Sequence, residues 1–309
     1  MAGRIILIAG PTASGKSAIA IALAKAINGV VINADSMQVY ADLRVLTARP
    51  SLAEEQLVPH ALFGHVDGAV NYSTGLWLAD VEHALLAAQV AGQVAILCGG
   101  TGLYFKTLTQ GLSAIPAVPP EIRARVRAEA QGHRAGALHA RLAACDPETA
   151  AGLRPSDPQR ILRALEVYAA TGRPLVSFQG QRATPRIGPH ESLRYFINPE
   201  KSALHSRIAA RFAAMLQDGA LAEARALMAR RLDPALPVMR AHGAPHLMAY
   251  ARGEISLEAA TERACVDTRQ YTRRQFTFGR NQLSEFVKVA PEVAVEQIFK
   301  DWRRSQLLE

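Results

Sequence analysis

Five consecutive apolar residues, Ile5-Ile6-Leu7-Ile8-Ala9, run into the small and polar stretch Gly10 to Ser17 and then into the helical pattern Ala18 to Ile27. A short apolar run bounded by turn residues predicts a buried strand, so the chain opens as strand, loop and helix. Val30 to Asn33 predicts a second strand, followed by a loop from Ala34 to Pro50 whose polar residues include Asp35, Ser36, Gln38 and Tyr40. Gly75 to Ala91 predicts a helix with Leu76, Val81, Leu85 and Leu86 on one stripe, and Val94 to Cys98 a third strand ending in Gly99-Gly100-Thr101-Gly102. Strands alternating with helices predict an α/β fold with a parallel sheet flanked by helices, and ligands of such sheets gather at the carboxyl ends of the strands. The polar loops after Ala9, Asn33 and Cys98 are therefore expected to meet at one site.

From about Pro116 the pattern changes to Ala-, Arg- and Glu-rich helical stretches, broken at Asp157-Pro158 and at Gly172-Arg173-Pro174. This predicts a helical insertion over residues 116–195, between a first core part at 1–115 and a completing part with C-terminal helices at 196–309. Tyr195 to Ile197 reads as a strand returning to the sheet. Beyond it, Leu204, Ile208, Phe212 and Met215 have the spacing of one buried helix face, with Arg207 and Arg211 on a neighbouring stripe.

The loop itself, Gly10-Pro11-Thr12-Ala13-Ser14-Gly15-Lys16-Ser17, has the pattern of a phosphate-binding loop between a strand and a helix, the context that pattern requires. Its glycines let successive backbone N–H groups turn toward phosphate oxygens, Lys16 adds a mobile charge, and Ser17 offers a hydroxyl to Mg²⁺. A nucleotide triphosphate or any other diphosphate ester satisfies the same donors. Asp35 follows the second strand, where P-loop kinases place a carboxylate that orients or deprotonates the acceptor; a turn or helix-capping role suits the same residue.

Charge narrows the partner. The net charge is +8, with 29 Arg among 35 basic residues, and Pro116 to Pro199 holds twelve Arg and no Lys against seven carboxylates. Arg269, Arg273, Arg274 and Arg280 lie within twelve residues that hold no carboxylate. Arginine's planar fork suits phosphate and base stacking, although an Arg-biased composition produces similar patches. Three cysteines, Cys98, Cys145 and Cys265, lack the spacing of a metal knuckle or a disulfide framework. No basic segment followed by a long apolar stretch opens the chain, which predicts a cytoplasmic protein without a membrane span; a monomer is expected.

Together these motifs resemble one family. Gly10 to Ser17, Ala34-Asp35-Ser36-Met37-Gln38-Val39-Tyr40, Leu46-Thr47-Ala48-Arg49-Pro50 and Gly99-Gly100-Thr101-Gly102-Leu103-Tyr104-Phe105 resemble, in order, the tRNA dimethylallyltransferases, or tRNA isopentenyltransferases. The likeness continues through Asp157 to Glu166, Arg207 to Met215 and Thr268 to Gln275. It implies a P-loop NTPase-like fold and transfer of a dimethylallyl group from dimethylallyl diphosphate to the exocyclic amine of the adenine 3′ to the anticodon, with release of diphosphate. On that analogy the loop residues, Lys16, Mg²⁺ at Ser17 and Arg211 act on the leaving group. Asp35 takes the amine proton, and Thr101 holds the flipped nucleotide. Asp35, Ser36, Met37, Gln38, Thr101, Arg123 and the stretch Gln159-Arg160-Ile161-Leu162-Arg163 are implied tRNA contacts, with Arg160 and Arg163 expected on one helix face. Arg269, Arg273 and Arg274 are implied contacts to tRNA phosphates.

The chain departs from the family pattern at Arg49, where Lys is commoner, at Arg240 to His246, where only Gly243 clearly survives, and at Phe278-Gly279, where Trp and an aromatic are usual. His242 and His246 have helical metal-ligand spacing, but Pro245 lies between them and no third ligand is evident. Two other classes remain open. A P-loop kinase of a small metabolite or nucleoside suits the loop and Asp35 but leaves Gly99 to Phe105 and the Arg-rich insertion unexplained. A non-catalytic RNA-binding ATPase suits the charge but lacks an acidic end to the third strand.

Overall fold

The computed structural model of the protein describes residues 5–180 and 182–307. Six strands form one wholly parallel sheet: β1 (Ile5–Ala9), β2 (Gly29–Asn33), β3 (His60–Ala61), β4 (Val94–Gly99), β5 (Ser192–Ile197) and β6 (Val287–Val289), in the order β3-β2-β4-β1-β5-β6. β1 is central because it is apolar on both faces, and Ile6, Leu7 and Ile8 are wholly buried. One face is covered by α1 (Lys16–Ala26), which contributes Ile19 and Leu23, together with Ala294 and Ile298 from the last helix. On the other lie α3 (Thr74–Val90) and α4 (Gly102–Gln110); α2 (Leu52–Leu57) lies in the connection between β2 and β3. There Trp77 stacks on Tyr104 at 4.0 Å and donates its indole N–H to the Asn33 carbonyl at 2.9 Å, tying the helical layer to the end of β2.

Residues Gln110–Arg186 form a compact unit of their own. Its helices α5 (Pro120–Ala130), α6 (Ala135–Cys145), α7 (Pro147–Ala151) and α8 (Pro158–Thr171) enclose Val126, Leu138, Leu142, Ile161 and Leu165. An antiparallel bridge between Ser113 and Arg182 joins its two ends. These bounds differ from the expected 116–195 because the chain rejoins the sheet before Tyr195: β5 starts at Ser192, which pairs with Ile5.

The remaining unit, residues 1–109 with 187–309, carries the sheet. After β5 come α9 (Lys201–Gln217), α10 (Ala220–Ala229), α11 (Ala244–Ala251), the long α12 (Leu257–Gln282) and, beyond β6, α13 (Ala294–Gln306). Leu204, Ile208 and Phe212 of α9 are buried as their spacing predicts, with Val39, Leu43, Leu227 and Leu247. Among the described residues no helix is long and apolar enough to cross a membrane.

Candidate active site

The loop between β1 and α1 curls through left-handed backbone at Ala13 (φ 63°) and Gly15 (φ 85°), the latter capping α1. Gly10 and Pro11 are buried beneath the loop. Ser14 is buried too, and its hydroxyl has no hydrogen-bond partner among the described residues. A hydroxyl left so beside a helix N-terminus suits a phosphate oxygen. The Lys16 ammonium donates to the Pro11 carbonyl at 3.1 Å. Burial pulls it below the usual lysine range and Arg211 adds to this, while Asp35 works against the shift. Burial also pushes the Cys98 thiol up to about 12, against the neighbouring Lys16 charge, so this cysteine stays protonated.

The loop after β2 is anchored by Asn33, whose side chain accepts from Asp35 N–H at 2.8 Å and donates to the carbonyls of Asp35 and Leu62, both at 3.0 Å. Asp35 in turn accepts from Met37 N–H at 3.0 Å. The loop after β4 meets this one directly. Thr101 Oγ1 accepts from Ser36 N–H at 2.9 Å and donates to Ser36 Oγ at 3.2 Å. A Cβ at Gly99 would run into the Ala34 carbonyl, which is why two strand ends can approach so closely.

Thr12 to Ala18, Asp35 to Gln38, Leu46 to Arg49 and, from the C-terminal helices, Arg211, Phe212, Thr268 and Tyr271 line one cavity of about 460 Å³. Arg211 is half-buried; burial draws it below the ordinary arginine range while the Asp35 charge holds it up. Arg207 is exposed and lines a separate recess. Gln38 donates its amide nitrogen to the carbonyls of Thr47 and Ala48, each at 2.9 Å, so that nitrogen braces the loop. Arg49 likewise donates to the carbonyls of Tyr40 and Ala41. His242 packs against Tyr271 with ring centroids 4.6 Å apart, and burial followed by the Arg274 charge lowers its pKa. His246 pairs instead with Asp267 at 2.8 Å.

One buried residue joins all of this without having been assigned a role from the motifs. Gln275, 6% exposed on α12, accepts from Thr12 N–H at 2.9 Å and donates to the Gly100 carbonyl at 2.9 Å. It fixes the phosphate loop to the β4 loop. Its only signal in the sequence was its place in Thr268 to Gln275; neither partner is near it along the chain.

The remaining expected contacts lie elsewhere. In the helical unit, Ile161 is fully buried in the core, so its side chain is unavailable to RNA. Leu162 packs partly against the same core. Gln159 and Arg160 are exposed at the start of α8, Arg160 lying 3.4 Å from Asp157. Arg163 does not share that environment. Arg123, Arg127 and Arg163 all reach buried Glu166, at 3.8, 2.9 and 3.9 Å, an arrangement that holds α5 against α8. On α12, Arg273 and Arg274 are exposed, Arg274 lying over the Tyr271 ring, and Arg269 is half-buried.

A phosphate loop after β1, a carboxylate after β2 and a half-buried guanidinium around one cavity at the carboxyl end of a parallel sheet define a P-loop protein of NTPase-like fold. The model of the IPP transferase family matches residues 38–282. The chain belongs to that family. It is similar to the tRNA dimethylallyltransferase of Methylocella silvestris, with 58% identity over 289 residues covering 94% of this chain and 95% of that one. Among solved structures it is similar to the full-length tRNA isopentenylpyrophosphate transferase of Bacillus halodurans, with TM-score 0.69, 27% identity and 99% of each chain covered. A eukaryotic dimethylallyltransferase captured acting on tRNA gives TM-score 0.76 and 27% identity over 93% of this chain and 73% of that one.

Proposed function

We propose that the chain transfers a dimethylallyl group from dimethylallyl diphosphate to the N6 amine of the adenosine 3′ to the anticodon of tRNA. The observation that carries this reading is that Asp35 and Arg211 line the same cavity as the phosphate loop, with the Asp35 charge acting on the Arg211 guanidinium. The allylic C–O bond breaks and its electron pair leaves with the diphosphate, whose charge meets the loop amides, Lys16 and Arg211. The amine lone pair forms the new C–N bond, and the proton it sheds passes to Asp35. Asn33 holds the Asp35 backbone, the Met37 N–H bonds its carboxylate, and Thr101 fixes Ser36 beside it. Ser17, exposed on the first turn of α1, offers the hard oxygen that Mg²⁺ accepts alongside phosphate oxygens and water, so the donor chemistry fits. When bound, Mg²⁺ adds positive charge to the departing diphosphate.

The support against the kinase reading is the Gly99–Phe105 motif and the Arg-rich helical unit, which a small-molecule kinase leaves unexplained; Thr101 of that motif is engaged with Ser36. Mixing tRNA and dimethylallyl diphosphate with the protein is expected to release diphosphate with ATP neither required nor consumed. ATP-dependent phosphorylation of a small hydroxyl acceptor would overturn the reading.

Gln275 acts here as a positioning residue. Gln275→Ala leaves the Thr12 N–H and the Gly100 carbonyl without a partner, and unmet buried groups cost about 1–3 kcal/mol. The expected result is a rise in KM for dimethylallyl diphosphate of about tenfold or more, with tRNA affinity within about twofold. An unchanged KM, measured by initial rates, would remove the residue from the loop's support.

For RNA binding, Arg160 at the start of α8 carries a side chain that is 75% exposed. Arg160→Ala is expected to weaken tRNA binding and to lower the slope of log Kd against log salt by about one. A Kd unchanged across the salt series would take Arg160 out of the interface.

A further inference from the structure

Ile208, Arg211, Phe212 and Met215 of α9 all line the catalytic cavity, at the spacing that sets side chains on one helix face. One of them is a cation and the others are apolar. Leu46, from the loop after β2, lines the cavity as well. Lys16, Arg211 and the phosphate loop answer the charge of a diphosphate. The apolar residues answer nothing in that group; they suit the hydrocarbon chain of the donor, which gains by leaving water.

These apolar residues differ in what stands behind them. Met215 is half-buried, and an unbranched thioether changes rotamer to suit its neighbours. The Phe212 ring is buried and belongs to the core that holds Leu227, Val238 and Leu247. Gly243, which caps α11 in left-handed backbone at φ 91°, lies directly against it. A Cβ there would stand 2.8 Å from Cε2 of Phe212 and 3.4 Å from Cδ2 of Leu46. The ring edge thus meets fixed backbone, and a packed core leaves a rigid ring no space into which to withdraw. This also accounts for Gly243, retained where the surrounding family pattern is lost: a side chain at that position would strike the ring.

We infer that Phe212, backed by Gly243, is the stop that limits the donor to a five-carbon chain. The inference rests on the proposed use of dimethylallyl diphosphate and names the residue that rejects its longer homologues, such as the ten-carbon geranyl diphosphate. With its diphosphate seated on the loop, a longer chain has to displace the ring or carry the reacting carbon away from the acceptor.

The full-length protein, Phe212→Leu and Phe212→Ala are titrated, without tRNA, with dimethylallyl diphosphate, geranyl diphosphate and inorganic diphosphate. The unsubstituted protein is expected to bind the ten-carbon donor about tenfold or more weakly than the five-carbon one. Phe212→Leu lowers that ratio about threefold, and Phe212→Ala, which removes a ring as bulky as the added isoprene unit, lowers it about tenfold or more. Inorganic diphosphate has no chain and keeps its affinity within about twofold, which marks a folded site. Where the alanine variant loses diphosphate binding, the leucine variant decides. With tRNA and Mg²⁺ added, kcat/KM for geranyl relative to dimethylallyl diphosphate rises by the same factors. A ratio unchanged in Phe212→Leu, with diphosphate binding retained, would overturn the inference. So would an unsubstituted protein that binds both donors equally, since no stop would then act. If the binding ratio responds to Phe212 while no group reaches tRNA, the proposed transfer fails and the stop stands.

Discussion

Asp35→Asn is expected to lower kcat by about 10²–10⁴-fold, the range that removal of a positioned general base produces, while tRNA affinity stays within about threefold. Asparagine keeps an oxygen for the Met37 N–H, which Asp35 binds at 3.0 Å, so the loop after β2 retains its turn. What it loses is the charge proposed to take the amine proton. The same charge favours the cationic forms of both Lys16 and Arg211, so its removal leaves the cavity more positive. KM for dimethylallyl diphosphate is accordingly expected to stay level or fall. Asp35→Ala should follow the same pattern, with added loss of loop order. Equal losses of turnover and of tRNA binding would contradict the base assignment, because they would mean that Asp35 holds RNA and does no proton chemistry.

Arg211→Ala is expected to act on the other partner of the reaction. Removing one preorganised donor to a developing anion costs about 10²–10³ in kcat. Here the guanidinium is half-buried on α9, held where water screens it little, so the upper part of that range is expected. Arg211→Lys should recover part of the loss, since an ammonium supplies charge without the planar fork. Steady-state kinetics with each substrate varied in turn separates the cases. A loss confined to KM for tRNA would reassign Arg211 to RNA binding.

The strand, phosphate loop and helix at the start of the chain were legible because a buried strand, a glycine-rich turn and a helix each carry their own pattern within a few residues. β3 and β6 were not. His60–Ala61 and Val287–Val289 are too short for any alternation to show, and they belong to the sheet only because β2 and β5 offer them an edge. The helical unit was visible as a change of composition, but its ends were not, since they depend on the bridge between Ser113 and Arg182 and on where β5 regains register with β1.

Within the site, local sequence pointed to Lys16 and Asp35 because each follows a strand in a recognisable loop, whereas Arg211 was reached only through the family resemblance. It could not separate Arg160 from Ile161, which are adjacent in the chain yet respectively exposed and wholly buried. Nor could it anticipate that Arg123 and Arg163 turn toward Glu166, because that carboxylate meets them only when α5 packs on α8. Gln275 is the clearest case: its bonds to Thr12 and Gly100 exist only because α12 returns to the carboxyl end of the sheet.

The most direct test is one incubation of the purified protein with Mg²⁺, labelled dimethylallyl diphosphate and an unmodified tRNA transcript carrying adenosine 3′ to the anticodon, without ATP, followed by nucleoside analysis. The account predicts label on the N6 position of that single adenosine and loss of the label with Asp35→Asn. An unlabelled tRNA, under conditions where an active control enzyme labels it, would contradict the account.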